Sequence, residues 1–182
     1  MYSIKTWTPE LDLIDFYQEA DRRGFTNNAS QKSMIDCFNN ETEKSAWILY
    51  NDNNAIGSVA AHSFPEMGIN SYRVLARTCV LEGTRPNGGL MTRTTAIGQH
   101  QNLTSQFLLP VCLEWAKGDI YATSNMSKVA SQRLVHEYYF PTLEKLGLVK
   151  FKCLLDYRGH AQSVWQIHSE KFLQDLERYT RW

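Results

Sequence analysis

The stretch SYRVLARTCVLEGTRPNGG, residues 71–89, decides how the rest of the chain is interpreted. Residues 71–81 predict a long central strand, in which successive side chains point to opposite faces. One predicted face carries Tyr72, Val74, Ala76, Thr78 and Val80, and the other carries Arg73, Leu75, Arg77, Cys79 and Leu81. The strand ends at Glu82 and Gly83, and a loop rich in glycine and arginine follows directly.

This loop contains two adjacent glycines, Gly88 and Gly89. Glycine allows backbone N–H groups to approach a ligand closely. A helix that began after the loop would add partial positive charge at its N-terminus. The segment therefore has two interpretations, a surface connection or a cradle for a phosphate group.

Apolar periodicity before this stretch predicts a series of short elements. A weak N-terminal strand is followed by a helix predicted over residues 9–23, with Pro9 at its start and Gly24 at its end. Ser30 is the expected N-cap of a second helix. The segments AWILY and AIGSVAAHSF, joined by the polar turn NDNN, then predict a hairpin that leads to the central strand.

Beyond the loop, residues 102–118 carry apolar side chains at helical spacing, although Pro110 would bend this helix unless it lies in the first turn. A short strand, DIYATS, precedes a helical segment that contains Pro141. Two strands and an amphipathic helix complete the chain. The predicted order is β-α-α-β-β-β-α-β-α-β-β-α, an α+β fold with a single domain over residues 1–182.

The charge of the chain is balanced, with 19 lysines and arginines against 19 aspartates and glutamates. A balanced chain lacks the basic surface that binds nucleic acid through counterion release, so no nucleic-acid partner is expected. The N-terminus lacks the pattern of a secretion signal, and no apolar run is long enough to cross a membrane. We therefore expect a cytoplasmic protein without a membrane partner.

The four cysteines, Cys37, Cys79, Cys112 and Cys153, are widely spaced and include no C-x-x-C pair. The histidines likewise lack the spacing of metal ligands. We expect buried reduced thiols and no metal site.

The order of elements resembles that of the GNAT superfamily of acyl-CoA-dependent N-acyltransferases, over nearly the whole chain. The resemblance is carried by the hairpin around Gly57 in NNAIGSV, the strand YRVLARTCVLEG with its loop, the helix end EWAKG, the strand DIYATSN and the segment EKLGLVKF. It implies a central mixed, mostly antiparallel sheet flanked by helices. It also implies transfer of an acyl group, most simply acetyl, from acyl-CoA to an amine of a small molecule or peptide.

In this family two central parallel strands splay apart, and the pantetheine arm of the cofactor pairs with the opened backbone. Carried onto this sequence, the resemblance places Val80 and Leu81 beside the thioester of acetyl-CoA or another acyl-CoA. It places the pyrophosphate on the loop that contains Arg85, Gly88 and Gly89.

Acyl transfer to an amine requires a group that accepts a proton from the ammonium and a group that protonates the leaving thiolate. Glu82, at the end of the central strand, is the candidate base. The resemblance implies that a tyrosine of HEYYF is the acid, either Tyr138 or Tyr139, of which Tyr138 is preferred. A carboxylate at a strand end is also commonly solvated, and a tyrosine commonly packs in a core. Asn125 resembles the family asparagine that hydrogen-bonds near the cofactor arm, although asparagine after a strand also suits a turn.

The loop departs from the family pattern Arg/Gln-x-x-Gly-x-Gly/Ala. Met91 occupies the position of the second small residue, and the helix is predicted to begin late. Either the loop is elongated, or the segment AIGQHQNLTS binds the pyrophosphate. The departure also leaves a noncatalytic GNAT-like binding or interaction module as the alternative function.

Two features have alternative interpretations of equal weight. Arg73 and Arg77, predicted on one face of the central strand, suit either an anionic ligand or ion pairs with nearby carboxylates. The aromatic C-terminal segment FLQDLERYTRW suits either a homodimer interface or packing on its own domain.

Overall fold

The computed structural model describes residues 1–23, 30–67, 73–81, 107–126, 137, 140–157 and 159–180, with the backbone alone at 176–180. The strands are β1 Tyr2–Thr6, β2 Ser45–Asn51, β3 Asn54–Ser63, β4 Arg73–Val80, β5 Ile120–Asn125, β6 Val149–Tyr157 and β7 His160–Ile167. The helices are α1 Ile14–Arg22, α2 Gln31–Asn40, α3 Leu109–Ala116, α4 Phe140–Lys145 and α5 Ser169–Thr180. Within the described residues, the strands and helices follow the predicted order.

The seven strands form one sheet in the order β1-β2-β3-β4-β5-β7-β6. Strands β4 and β5 are parallel, and every other neighbouring pair is antiparallel. The predicted α+β class, with a mixed, mostly antiparallel sheet, is therefore confirmed. The parallel pair lies in the middle of the sheet, where the two antiparallel parts meet.

Alternation along the strands buries both faces of the sheet. In β2, Trp47 and Leu49 pack with α3, α4 and α5, whereas Ala46 and Ile48 pack with α1 and α2. A third cluster, around Phe64, Val74 and Tyr121, lies where β4 and β5 pair. Helices on both faces thus hold the central strands in place.

The starts of the helices test the capping and proline signals in the sequence. The Oγ of Ser30 accepts a hydrogen bond from the N–H of Ser33, so the predicted N-cap of α2 is confirmed. Pro110 lies in the first turn of α3, where its missing N–H costs no helical hydrogen bond. The predicted start of α1 at Pro9 is wrong, because residues 9–11 form a turn and the helix begins at Ile14.

Within the described ranges, none of the helices combines the length and the apolar character that a membrane span requires.

Candidate functional site

The central feature of the sheet is an opening between its two parallel strands. Among the described residues, β4 pairs with β5 only at Val74, opposite Tyr121, and at Leu75, opposite Ala122. Beyond these two positions β4 continues along β3 as far as Val80, and β5 continues along β7 as far as Asn125. β4 and β5 therefore diverge, while β4 stays paired with β3 and β5 stays paired with β7.

Backbone groups of β4 line this opening. The N–H of Leu81 donates to the carbonyl of Ile56 in β3 at 2.7 Å, and Val80 lies opposite Gly57. Successive residues of a strand direct their backbone groups to alternate sides, so the N–H and C=O of Val80 point away from β3. They point toward the side on which β5 diverges from β4, where a ligand with an extended amide backbone could pair with them.

A β-bulge marks the place where β4 leaves β5. Ser58 pairs with Cys79 and Ala60 pairs with Ala76, so β4 carries one residue more than β3 between these pairs. Arg77 within the bulge has a φ of 54°, and its carbonyl accepts a hydrogen bond from the Ser58 hydroxyl at 3.1 Å. A bulge bends its strand and increases the local twist, which directs the end of β4 away from β5.

The bulge also corrects the predicted face of Arg77. Arg73 points toward α3, where its Nη1 donates to the carbonyl of Ala116 at 2.9 Å. Arg77 points toward α2 on the opposite face, and its Nε lies 3.4 Å from the carbonyl oxygen of Ser33. The prediction that both arginines share a face is wrong, because the extra residue reverses the alternation after Ala76.

Of the two interpretations of Arg73, the contacts favour the ion pair. Its Nη2 lies 3.2 Å from Oε2 of Glu43, and its guanidinium lies over the ring of Trp115. These contacts connect α3 to the segment that follows α2. An anionic ligand is therefore not required to explain Arg73.

The β5 side of the opening is fixed by a chain of buried polar groups. The indole N–H of Trp165 donates to the hydroxyl of Ser163 at 2.9 Å. That hydroxyl lies 3.4 Å from the carbonyl oxygen of Ser124, to which it donates. Asn125, the next residue, ends β5 opposite Gln162. β7 therefore holds β5 up to the residue that was predicted to lie near the cofactor arm.

The predicted site residues divide into two groups. Val80, Leu81 and Asn125 lie at the ends of the two diverging strands. The rest, Glu82, Arg85, Gly88, Gly89 and Tyr138, lie outside the described residues, and their roles stay predictions.

Two contributors to the opening were missed from the sequence, Ser58 and Arg23. Ser58 supports the bulge, and Arg23, at the end of α1, donates through Nη1 to the carbonyl of Leu81. Neither residue belongs to a motif, and the contact of Arg23 joins positions 58 residues apart in the chain. A pattern of local spacing therefore gives no signal for it.

A metal site would require at least three His, Cys, Asp or Glu side chains close together. No such group occurs in the part of the chain that the structure describes.

No protein-family model and no curated protein sequence matches this chain. Solved structures match its fold along almost the whole length. A Desulfovibrio desulfuricans protein assigned to the GNAT family of acetyltransferases is 11% identical, with a TM-score of 0.59, over 93% of this chain and 99% of that one.

Two further matches carry information on ligands and acceptors. An aminoglycoside acetyltransferase, in complex with coenzyme A and kanamycin, is 7% identical with a TM-score of 0.59, over 96% of this chain and 98% of that one. The Escherichia coli N-acetyltransferase of the alanine of ribosomal protein S18 is 13% identical with a TM-score of 0.54, over 92% and 94%. These likenesses show that the chain has the GNAT fold.

Proposed function

We propose that this protein is an N-acyltransferase that moves an acyl group, most simply acetyl, from a coenzyme A thioester to an amine. The observation that carries the proposal is the opening between β4 and β5, which begins after Leu75 and Ala122. A parallel pair buried in the middle of a sheet normally continues to form ladder hydrogen bonds, and unmade ones are costly. A ligand that supplies those bonds would explain why the strands part.

The arm of coenzyme A suits this opening, because it is extended and carries amide groups along its length. We assign its first partner to Val80, whose N–H and C=O point away from β3. A backbone N–H held in this position also orients the thioester carbonyl and stabilises the charge that develops on its oxygen. The chain thus supplies a donor that is fixed before the substrate binds.

The proton transfers are assigned to residues beyond the described ranges. Glu82 follows Leu81 directly, so its carboxylate is the proposed acceptor of the ammonium proton, directly or through water. The hydroxyl of Tyr138 is the proposed donor to the departing thiolate. Arg85, Gly88 and Gly89 are the proposed contacts of the pyrophosphate, and Asn125 is a proposed contact of the arm.

The acceptor class proposed here is a primary amine, on a small molecule or at the start of a peptide. Support comes from the similar structures, which include an enzyme bound to kanamycin and one that modifies an alanine of a ribosomal protein. Of the two interpretations of the aromatic C-terminal segment, the contacts of Phe172 and Leu173 favour packing on its own domain, because both side chains lie against the core. A homodimer therefore stays a proposal that no contact of the described residues in this segment supports.

The proposal is tested by calorimetric titration with acetyl-CoA of the wild type and of two variants at one position. Val80→Pro removes the N–H that points into the opening without removing a bond to β3. Val80→Ala keeps this N–H and shortens the same buried side chain, so it controls for lost packing. We expect the proline variant to bind acetyl-CoA about tenfold more weakly than the alanine variant.

The outcomes separate the fold from the chemistry. Absence of binding by the wild type would contradict the acyltransferase and favour the noncatalytic module, which the irregular glycine pattern at residues 85–91 supports. Equal affinities of the two variants would leave acetyl-CoA binding in place but remove Val80 from it. Release of free thiol in the presence of kanamycin or of a peptide beginning with alanine would establish turnover.

A further inference from the structure

The end of β4 is held on its β3 side by a backbone hydrogen bond and from α1 by a side chain. The N–H of Leu81 donates to Ile56, and the carbonyl of Leu81 accepts a hydrogen bond from Nη1 of Arg23. Both polar groups of the Leu81 backbone are therefore occupied. The residue before it, Val80, is the one whose backbone groups face the opening.

Arg23 is itself held in place by the helix that carries it. Its Nε donates to Oε1 of Glu19 at 2.5 Å, one turn earlier in the chain, and its side chain is 31% exposed. The hydrogen bonds of Arg22 and Arg23 lower the pKa of Glu19 to about 2, because both guanidinium groups favour the charged carboxylate. A planar guanidinium can donate in two directions at once, here to Glu19 and to Leu81.

Because β5 diverges after Ala122, no second neighbouring strand among the described residues pairs with this part of β4, unlike the central strands elsewhere in the sheet. A strand paired on one side bends and frays more readily than one paired on both. The guanidinium of Arg23, which donates to the Leu81 carbonyl from α1, restricts this bending and fraying of β4.

We propose that Arg23 is a positioning residue, which holds the carbonyl of Leu81 so that the backbone of Val80 keeps its orientation toward the opening. The role in acyl-CoA binding rests on the function proposed above. The role in holding β4 does not, and it can be measured without any ligand.

Arg22 provides the matched control. It forms hydrogen bonds with the same carboxylate, through Nε to Oε2 of Glu19 at 2.6 Å, but its side chain is 70% exposed. Arg22→Ala therefore removes a charge and an ion pair from the same helix turn and leaves the donor to Leu81 in place. Arg23→Ala removes both the ion pair and that donor.

The experiment measures amide hydrogen exchange at Leu81 in the ligand-free wild type and in both variants, together with acetyl-CoA affinity by calorimetry. In Arg23→Ala we expect exchange at Leu81 to be about tenfold faster, as the loss of one charge-assisted hydrogen bond predicts. We expect a similar loss of affinity, and wild-type values for both quantities in Arg22→Ala. Arg23→Lys, with one ammonium in place of the fork, should fall between the wild type and Arg23→Ala.

Exchange at Leu81 that is equal in Arg23→Ala and Arg22→Ala would overturn the inference, whatever the wild type binds. If the wild type binds acetyl-CoA and both variants bind it equally well, the inference is also overturned while the proposed function stands. If the wild type binds no acetyl-CoA, the proposed function fails, and exchange at Leu81 alone decides whether Arg23 holds β4.

Discussion

The two halves of β4 belong to one strand but differ in what completes them. In its closed half, Val74 and Leu75, the backbone pairs with β3 on one side and with β5 on the other. In its open half, residues 76–80, it pairs among the described residues with β3 alone, and Arg77 adopts a left-handed conformation. The closed half is completed by the protein itself, whereas the open half retains backbone groups that a ligand could pair with.

This difference shows how a sheet can carry a binding site without a dedicated side-chain motif. In the closed half, stability comes from side chains that bury apolar surface between the layers. In the open half, the backbone is proposed to bind the ligand. The side chains of Ser58 and Arg23 hold this backbone in place by donating hydrogen bonds to the carbonyl groups of Arg77 and Leu81. Changes in the closed half should therefore lower stability alone, whereas changes in the open half should lower ligand binding as well.

The largest expected effect is a loss of stability from the closed half. Phe64 is fully buried against Val74 and Tyr121, the residues of one of the two β4–β5 pairs. Phe64→Ala should lower the free energy of unfolding by about 3–5 kcal/mol, because it leaves a cavity at this position. Urea denaturation measures this loss, and calorimetry on the folded variant should give a wild-type affinity for acetyl-CoA.

Phe151 is the matched control for this change, since its side chain is 39% exposed on the edge strand β6. Phe151→Ala should cost clearly less than Phe64→Ala. An equal cost for the two changes would contradict the importance of the closed half.

Much of the closed half could be predicted from the sequence. Two runs of apolar and β-favouring residues, AWILY and AIGSVAAHSF, predict the hairpin of β2 and β3 from the polar turn between them. The runs are almost continuously apolar because helices bury both faces of these strands. Ser30 identified its own helix start, since an N-cap is a contact between residues three apart. Local chemistry of this kind is visible in a single sequence.

The open half was harder to predict, for two physical reasons. A left-handed residue is normally signalled by glycine or asparagine, and here it is an arginine, so the alternation was extended past Ala76 and placed Arg77 on the wrong face. The contact of Arg23 with Leu81 is long-range and involves a backbone carbonyl, which has no sequence signature. The backbone role of Val80 was predicted through the family resemblance and not from its side chain.

An intermediate effect is expected at Gly57, which faces Val80 from the neighbouring strand. A Cβ at this position would lie 3.1 Å from the carbonyl oxygen of Cys79 and 3.4 Å from Cδ1 of Leu108. Backbone in the sheet yields little, so Gly57→Ala should lower the free energy of unfolding by about 1–2 kcal/mol. Because the strain falls on the open half, acetyl-CoA affinity should fall as well.

Gly118→Ala is the control, since a Cβ there would meet nothing within 4 Å. This variant should keep the stability and the affinity of the wild type. A Gly57→Ala variant with unchanged urea midpoint and affinity would show that β3 and β4 can separate at no cost.

The smallest expected effect tests the left-handed conformation of Arg77 itself. Asparagine adopts this conformation at little cost, whereas a β-branched side chain does not. Both Arg77→Asn and Arg77→Val lose the guanidinium near Ser33. A difference between the two variants therefore reports the cost of the left-handed backbone conformation and not the loss of this contact. Arg77→Val should be less stable than Arg77→Asn by about 1 kcal/mol in urea denaturation.

If valine relieves its strain by removing the bulge, Val80 must turn its backbone groups away from the opening, and acetyl-CoA affinity then falls in Arg77→Val alone. Equal stability and equal affinity of the two variants would mean that the bulge does not depend on the left-handed residue.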